Sequence, residues 1–276
     1  MTLEQLLADA NGTLKNTDDA KTSIKEIFGH VFKKDLLFAK FDIGQSLDAD
    51  KTAEFNELIK RRADGEPLQY IIGHWEFAGH DFIVRKGVLI PRDDTYTLYE
   101  KALPFLDKNK LLIDLCTGSG ILGISLSLDT NCTAICTDIS EHALALAEEN
   151  RKRLDAKSVT VVKKDIFRAS DLPKADVIVC NPPYIRKKDM ESLQTEVLHE
   201  PKEALCGGAD GLDFYRAIVK YQLSALKDGG FVAVETGFDQ TVEVAEILKN
   251  AGLSEVMEHK DLNGMYRVVT GIKQTK

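Results

Sequence analysis

Apolar positions in the first 73 residues follow the three-to-four-residue repeat of amphipathic helices. Two such sets are present: Ile24, Ile27, Phe28, Val31 and Phe32, and then Phe55, Leu58 and Ile59. The polar stretch from Ser46 to Asp50 lies between them and can cap the helix that follows it. The pattern therefore predicts a small helical bundle over residues 1–73, with its apolar faces turned inward.

Residues 74–90 have a different pattern, in which large apolar side chains alternate with polar residues and glycines. The apolar positions are Trp75, Phe77, Phe82, Val84, Val88 and Ile90, and the glycines are Gly79 and Gly87. Such alternation around a glycine is typical of two paired strands and their turn. We expect a β-hairpin here, linking the helical bundle to the rest of the chain.

Residues 91–276 alternate short apolar runs with amphipathic segments, as parallel α/β sheets do. The predicted strands are Leu111–Leu115, Ala134–Thr137, Val159–Val162, Val177–Cys180, Phe231–Glu235 and Tyr266–Gly271, with a further strand near Ser254–His259. The predicted helices are 121–128, 140–154, 213–226 and 239–251, the second with Ser140 as its N-cap. The fold class is therefore α/β, with a mostly parallel, Rossmann-like sheet behind a small helical domain.

Polar residues follow the carboxyl ends of four consecutive predicted strands. The first strand leads into the glycine-containing loop Cys116–Gly120, the second into Asp138, the third into Asp165 and the fourth into Asn181–Tyr184. Because open parallel sheets bind their ligands beyond the carboxyl ends of the strands, these residues predict a ligand site at that edge.

The glycine loop alone indicates only a nucleotide-like cofactor. Its pattern Gly118-x-Gly120-x-x-Gly123 fits the dinucleotide fingerprint. It is not a phosphate-binding P-loop, because Ile124 occupies the position of the required lysine. It is not a nucleophile elbow either, because Thr117 replaces the first glycine around Ser119. The loop leaves open whether the cofactor is a nicotinamide dinucleotide or a methyl donor.

Asp138 and Asp165 have the chemistry to bind the two halves of a nucleoside. The Asp138 carboxylate can accept hydrogen bonds from both ribose hydroxyls, and Asp165 could accept from an adenine amino group while Ile166 covers one face of the ring. The alternatives are an ordinary acidic residue before a helix for Asp138 and a solvated turn for Asp165. The functional interpretation is favoured for both residues.

The segment Asn181-Pro182-Pro183-Tyr184 distinguishes between these cofactors. An amide NH2 is a poor nucleophile, so an enzyme that methylates it must hold both of its N–H groups. The Asn181 side-chain oxygen and the Pro182 carbonyl can accept these two hydrogen bonds, Pro183 adds rigidity, and Tyr184 can stack on a planar group. The alternative is a rigid turn after a strand. The segment favours methylation of a planar NH2 group.

Composition and charge narrow the class of partner and the location. Hydrophobic residues make up 43% of the 276 residues and charged residues 29%, which is typical of a globular protein. The net charge is −8, whereas nucleic-acid binders usually have an excess of basic residues, so the charge disfavours a nucleic-acid substrate. The five cysteines, without a signal peptide or a membrane-spanning run, argue against a disulfide framework and for the cytoplasm. Cys136 lies in the predicted strand Ala134–Thr137 and Cys132 just before it, and no metal site is expected.

These motifs together resemble the release factor glutamine methyltransferase family over nearly the whole chain. The matching segments are Gly65–Gly73, Leu89–Arg92, Asp114–Gly120, Asn181–Tyr184, Glu200-Pro201 with Ala204-Leu205, Gly208–Asp213 and Lys260–Leu262. The resemblance implies a class I S-adenosylmethionine-dependent methyltransferase domain over residues 91–276, a hairpin linker over 74–90 and a helical substrate-recognition domain over 1–73. The implied acceptor is the glutamine of the Gly-Gly-Gln motif in bacterial peptide chain release factors.

The resemblance also implies the roles of the site residues. S-adenosyl-L-methionine would be bound by Cys116, Thr117, Gly118, Ser119, Gly120, Asp138, Asp165, Ile166 and Asn181. Asn181, Pro182, Pro183 and Tyr184 would bind the acceptor, and Asn181, Pro182 and Tyr184 would take part in catalysis. Two positions depart from the family pattern: Cys116 stands where glycine is usual, and Tyr96 follows Thr95 where glutamate is usual.

Three alternatives remain open at the level of sequence. The acceptor could be a glutamine of a ribosomal protein, or an exocyclic amine of a nucleic acid, because the Asn181–Tyr184 motif suits any planar NH2 group. A nucleic-acid enzyme should have a basic track, and the net charge of −8 disfavours it. A non-catalytic protein that only binds the methyl donor is disfavoured, because the motif Asn181–Tyr184, which we call the acceptor motif, is intact. We expect no membrane association and no direct nucleic-acid substrate.

Overall fold

A computed structural model describes residues 1–39, 43–44 and 46–275. The chain divides into two compact units, and the first of them includes a short segment from much later in the chain. The first unit comprises Met1–His74 and Gln194–His199, and the second comprises Trp75–Leu193 and Glu200–Lys276.

The first unit is helical, as the sequence predicts. Its helices are α1 (Leu3–Thr13), α2 (Ala20–Phe32), α3 (Leu36–Ala39), α4 (Ala49–Ala63) and α5 (Leu68–Ile72). The predicted apolar faces of α2 and α4 are buried against each other, and Phe28 contacts Phe55 edge-on with 6.3 Å between ring centroids. The predicted cap before α4 is confirmed, because the Asp48 side chain accepts a hydrogen bond from the Lys51 amide at 3.0 Å.

A buried arginine joins the helices of the first unit to its separate segment. Arg62 of α4 is only 2% exposed. Its guanidinium donates to the Ser23 hydroxyl at 3.0 Å, to Asp19 at 2.8 Å and to Glu196 of the segment Gln194–His199 at 2.6 Å. A buried guanidinium needs such partners because an unpaired charge is costly to remove from water.

The predicted hairpin is present but shorter than expected. Its strands are β1 (His74–Phe77) and β2 (His80–Ile83), so residues 84–90 lie outside it and the prediction that strand structure extends to Ile90 is wrong. Gly87 has a left-handed φ of 95°, which interrupts extended backbone. Val84, Val88 and Ile90 are buried without belonging to a strand, so their apolar character reflects core packing.

The second unit is built on a seven-stranded sheet among the described residues. Its strands are β3 (Leu111–Leu115), β4 (Thr133–Asp138), β5 (Val159–Lys163), β6 (Ala175–Cys180), β7 (Leu226–Glu235), β8 (Leu253–Lys260) and β9 (Tyr266–Lys273). Their order in the sheet is β5-β4-β3-β6-β7-β9-β8, parallel from β5 to β7 and antiparallel at β9 and β8. The predicted mostly parallel sheet is therefore confirmed.

Helices cover both faces of this sheet, and each face has its own apolar core. The α-helices are α6 (Thr95–Ala102), α7 (Ile121–Thr130), α8 (Glu141–Arg153), α9 (Asp213–Ala217) and α10 (Thr241–Asn250). Apolar side chains of α6 and α7 belong to one core, and those of α9 and α10 to the other. No helix formed by the described residues is long and apolar enough to cross a lipid bilayer.

The predicted helix over residues 213–226 is confirmed as a helical segment, but the segment is not α-helical throughout. After α9 the chain forms a π-helix over Ile218–Gln222 and then a 3-10 turn over Leu223–Ala225. The physical reason is the long-range bonding of Gln222, which is 4% exposed. Its side-chain amide donates to the carbonyls of Ile166 and Arg168, both at 2.8 Å.

Candidate active site

A cavity of about 500 Å³ lies at the carboxyl edge of the parallel strands, where the sequence predicts a ligand site. It is lined by residues 87–92, 116–119, 121–122, 138–140 and 142–143, together with Thr95, Asp114, Asn181, Pro183, Pro201, Glu203, Ala204 and Phe214. All of these residues belong to the second unit. Of the predicted site residues, the cavity brings together Cys116, Thr117, Gly118, Ser119, Asp138, Asn181 and Pro183.

The loop between β3 and α7 is held in place by backbone geometry that only small residues allow. Gly120 has φ of 87°, and a Cβ there would lie 2.7 Å from the Ile124 side chain. At Gly123 a Cβ would lie 2.3 Å from the Cys136 sulfur, so this glycine lets α7 approach the sheet closely. Gly120 itself does not line the cavity but begins α7 as its N-cap.

A buried asparagine fixes the same loop from α8. The Asn150 side chain is completely buried and donates to the Ser119 carbonyl at 2.9 Å. It also exchanges two hydrogen bonds with the backbone of Ile83, at 2.7 and 3.2 Å. Asn150 therefore ties the end of β2 to the loop that lines the cavity.

Asp138, at the end of β4, faces the cavity with its carboxylate anchored by backbone amides. One oxygen accepts from the Gly118 amide at 3.0 Å, and the other from the Ser140 amide at 2.9 Å. Burial raises the pKa of Asp138 above its usual range, and these two hydrogen bonds oppose the shift. Because each carboxylate oxygen has a second lone pair, both can still accept from a ligand.

Asp114 is a further cavity residue that the sequence analysis did not assign to the site. It is 1% exposed, and one of its oxygens accepts from the Thr117 hydroxyl and the Gly123 amide. Its other oxygen, Oδ1, is buried and has no hydrogen-bond partner among the described residues. Burial raises the pKa of Asp114 to about 7, and an orphaned buried acceptor indicates a missing donor.

Cys116, the first departure from the family pattern, lines the cavity in a conformation that favours glycine. Its φ is 56°, a left-handed value that costs a residue with a side chain of the order of 1–3 kcal/mol. The side chain packs partly against the core that contains Cys180. The structure thus accommodates cysteine at this position, with backbone strain that glycine would not have.

The segment Asn181–Tyr184 follows β6 and contributes Asn181 and Pro183 to the cavity wall. The Asn181 amide nitrogen donates to the Thr95 hydroxyl at 3.1 Å. Pro182 is buried and does not line the cavity. The Tyr184 ring packs partly against the core, and its hydroxyl lies 3.5 Å from Glu235, so it does not line the cavity either.

The backbone after the two prolines is fixed by a second segment. The Ile185 amide donates to the Leu205 carbonyl at 2.9 Å, and the Gly207 amide donates to the Ile185 carbonyl at the same distance. A Cβ at Gly207 would lie 2.7 Å from the Pro183 carbonyl oxygen. This close approach explains why glycine occupies position 207 beside the acceptor motif.

Asp165 and Ile166 lie outside the cavity wall. Asp165 accepts from the Phe167 amide at 2.9 Å, and Ile166 is buried in the core. Phe167 instead contacts Phe214 edge-on, with 5.0 Å between ring centroids, and Phe214 does line the cavity. The predicted role of Asp165 and Ile166 in adenine binding stays a prediction.

Arg92, which lines the cavity and is partly exposed, forms an ion pair with the buried Glu200, and neither residue was predicted as part of the site. Glu200 accepts from the Ile90 amide at 3.0 Å and from the Arg92 guanidinium. Burial raises the pKa of Glu200 although the arginine opposes it. Both residues lie in segments that match the family pattern, Leu89–Arg92 and Glu200-Pro201. That match was the signal from which their place at the site could have been predicted.

Comparison with known proteins identifies the family. A protein-family model described as the methyltransferase small domain matches residues 93–211, and a second family model, described as the PrmC N-terminal domain, matches residues 5–73. A methyltransferase structure from Pyrococcus furiosus is similar to the chain with a TM-score of 0.56 and 21% identity, covering 71% of this chain and 90% of that one. At this identity the likeness shows the fold alone, which is an α/β fold.

Two curated relatives match almost from end to end. A release factor glutamine methyltransferase of Clostridium botulinum is 39% identical and covers 99% of this chain and 100% of its own length. The protein of the same description from Clostridium acetobutylicum is 35% identical over 99% of both chains. The chain belongs to the release factor glutamine methyltransferase family.

Proposed function

We propose that this protein transfers a methyl group from S-adenosyl-L-methionine to the side-chain amide nitrogen of a glutamine, and that the acceptor is the Gly-Gly-Gln motif of bacterial release factors. The observation that supports this most directly is Asn181. Its side chain lines the cavity while its amide nitrogen is engaged by Thr95, which leaves its oxygen to accept a hydrogen bond. An acceptor of this kind suits a substrate NH2 group.

The cavity residues fit S-adenosyl-L-methionine. The Asp138 carboxylate can accept from the two ribose hydroxyls, and the orphaned Asp114 Oδ1 can accept from the ammonium group of the methionine part. Ile139 and Phe214 supply apolar cavity wall for the adenine. When bound, this donor supplies an electrophilic methyl group on a positively charged sulfur.

The acceptor side of the reaction depends on positioning. Asn181 Oδ1 would accept one N–H group of the glutamine amide and direct its nitrogen at the methyl carbon. The second predicted acceptor is the Pro182 carbonyl, which belongs to a buried residue outside the cavity wall. The new nitrogen–carbon bond would form as the carbon–sulfur bond of the donor breaks, with the neutral thioether as leaving group, and the amide nitrogen would then lose a proton to solvent. N-alkylation makes that proton strongly acidic, so no general base is required. Orientation of this kind can contribute roughly 7–11 kcal/mol.

The proposal is tested by incubating the protein with S-adenosyl-L-methionine and a purified bacterial release factor, followed by peptide mass spectrometry. We expect one added methyl group on the glutamine of the Gly-Gly-Gln motif. Asn181→Ala should reduce the rate by several orders of magnitude while most of the affinity for the donor is retained, because it removes one of two acceptors. Asn181→Asp keeps an acceptor oxygen but adds a charge, so its activity should fall less or recover at lower pH.

Two outcomes would contradict the acceptor side of the proposal. One is methylation of a ribosomal protein or a nucleic acid without any methylation of the release factor. In that case methyl transfer to an NH2 group would stand, but the proposed acceptor would be wrong. The other is near-wild-type turnover by Asn181→Ala, which would make the Asn181–Tyr184 segment a rigid turn without a role in orienting the amide. If calorimetric titration showed binding of NAD and none of S-adenosyl-L-methionine, the assignment of the methyl donor would be wrong.

A further inference from the structure

A chain of hydrogen bonds runs from the acceptor motif into the interior of the second unit. The Asn181 amide nitrogen donates to Thr95 Oγ1 at 3.1 Å, and the Thr95 hydroxyl donates to Glu235 Oε2 at 2.6 Å. Thr95 is 0% and Glu235 1% exposed. The three groups come from distant parts of the chain, since Thr95 begins α6, Asn181 follows β6 and Glu235 ends β7.

The direction of these hydrogen bonds determines which way the Asn181 amide faces. A hydroxyl has one proton, and an ionised carboxylate can only accept. When Glu235 is ionised, the Thr95 proton is committed to it, and the remaining lone pairs of Thr95 can only accept. The Asn181 NH2 must then point at Thr95, because a half-turn of the amide would set two acceptor oxygens against each other.

We propose that Thr95 and Glu235 are positioning residues that hold the Asn181 amide in the orientation in which Oδ1 accepts from the substrate NH2 group. The inference rests on the proposed function, because it assigns to Asn181 Oδ1 the glutamine nitrogen as its partner. In the opposite orientation Asn181 would present donors to a substrate that also presents donors. The pair therefore selects the productive one of two amide orientations of similar shape.

Glu235 is surrounded by groups that influence its charge. Asp94 and Thr95 face it from the start of α6, Arg267 from β9, and the Tyr184 hydroxyl lies 3.5 Å from its carboxylate. The Tyr215 hydroxyl of α9 donates to its backbone carbonyl at 2.9 Å. Burial raises the pKa of Glu235 to about 7, Asp94 adds to the shift, and Thr95, Arg267 and Tyr184 oppose it.

This environment makes the orientation of Asn181 depend on pH. Below about 7 the Glu235 carboxyl is protonated and can donate to Thr95. The Thr95 proton is then free to donate to Asn181 Oδ1, which stabilises the reversed amide. Because the ionised form predominates above about 7, we expect the rate of methyl transfer at saturating donor to rise with pH through that value.

The decisive comparison is Thr95→Val against Thr95→Ser. Valine keeps the shape of threonine without the hydroxyl, so kcat on release factor should fall about 10- to 100-fold, in line with the cost of misplacing a reacting group. Serine restores the hydroxyl and should return kcat to within about threefold of the wild-type value. The remaining difference would reflect the loss of one methyl group from the packing around residue 95. Titration calorimetry should give a donor Kd for both variants that stays within a few-fold of wild type, since neither changes Asp114 or Asp138.

The pH profile of single-turnover rates distinguishes positioning from a merely structural role. Glu235→Gln has nearly the same shape as wild type but no ionisable group, so it should lose the rise through about 7, and it keeps the test usable if Thr95→Val does not fold. The inference is overturned if wild type methylates release factor while Thr95→Val retains its kcat, or while Glu235→Gln retains the rise. If wild type itself methylates no glutamine, the proposed function fails, which is a separate result.

Discussion

Asp114, Asp138 and Glu235 place carboxyl groups at one edge of the sheet, each in the last two residues of its strand. Asp114 and Glu235 are buried, and Asp138 is partly buried. Burial raises the pKa of each one, and each is opposed by hydrogen bonds from neighbouring groups. Perturbed carboxyl groups of this kind cluster at functional sites because burial there is tolerated for the sake of binding or chemistry. Their individual roles can be separated by substitution.

At the scale of the residue, we predict that Asp138→Ala weakens binding of S-adenosyl-L-methionine. The change removes the acceptors expected for the ribose hydroxyls, and charge-assisted hydrogen bonds contribute about 1.5–3 kcal/mol. It also removes the anchors of the Gly118 and Ser140 amides, which adds to the effect. Isothermal titration of each variant with the donor measures the loss directly.

Asp165→Ala is the matched comparison for this prediction. Asp165 follows the neighbouring strand β5 but lies outside the cavity wall, so its removal should weaken donor binding less than Asp138→Ala does. Equal affinity of Asp138→Ala and wild type for the donor would remove Asp138 from the site. A larger loss with Asp165→Ala than with Asp138→Ala would instead support the adenine role that the sequence predicts for Asp165.

The sequence predicts which residues line the cavity better where they follow strand ends than where they depend on distant partners, although Asp165 follows β5 and lies outside the cavity wall. The glycine loop, Asp138 and Asn181 are found because parallel strands deliver their carboxyl ends to one edge. Thr95 and Glu235 are not found, because the bond that joins them spans 140 residues of sequence. Nothing in the local pattern around either residue indicates which side chain the fold will place beside it.

At the scale of the element, hydrophobic periodicity predicts the existence of helices and strands better than their internal geometry. The predicted strand Leu111–Leu115 has its observed bounds, whereas the short helix α6 is missing from the prediction. The π-helix over Ile218–Gln222 is also missed, because an amphipathic pattern alone does not distinguish it from continuous α-helix. What fixes it is tertiary: Gln222 reaches two carbonyls more than fifty residues away in sequence.

We predict that Gln222→Met destabilises the protein by about 1–3 kcal/mol. Methionine has a similar length but cannot donate, so the buried carbonyl of Ile166 and the partly buried carbonyl of Arg168 both lose their partner. An unsatisfied buried acceptor costs about that much. Urea-induced unfolding gives the difference in free energy. The same substitution at the exposed Gln194 should change stability by less than about 0.5 kcal/mol, and equal effects at both positions would refute the explanation.

At the scale of the whole molecule, the chain passes between the two units three times. It leaves the first unit after His74, returns for Gln194–His199 and leaves again at Glu200. The returning segment is bonded to α4 through Glu196 and the buried Arg62 guanidinium. The first unit therefore includes residues that lie between the acceptor motif Asn181–Tyr184 and Glu200 along the chain.

We predict that Arg62→Met destabilises the protein by about 1–3 kcal/mol, because it removes charge-assisted hydrogen bonds from a buried position. Asp19 and Glu196 are about half exposed and can be solvated again, which places the loss below that of a fully buried pair. Arg61→Met is the control, since Arg61 is 40% exposed and pairs with Glu66. It should change stability by less than about 1 kcal/mol. Thermal unfolding of both variants checks the difference, and a larger effect at Arg61 would contradict it.

The division of the first unit into two stretches of chain has a consequence for inheritance. A recombination event that replaced the first 74 codons with those of a distant relative would leave codons 194–199 unchanged, and the six residues they encode would meet a foreign partner. We therefore expect the two stretches to diverge together or to be exchanged together. A chimera that keeps its own N-terminal stretch but takes residues 194–199 from a relative lacking a carboxylate at 196 would leave the buried Arg62 guanidinium with Asp19 but without Glu196, so an acidic residue there should be inherited along with that arginine.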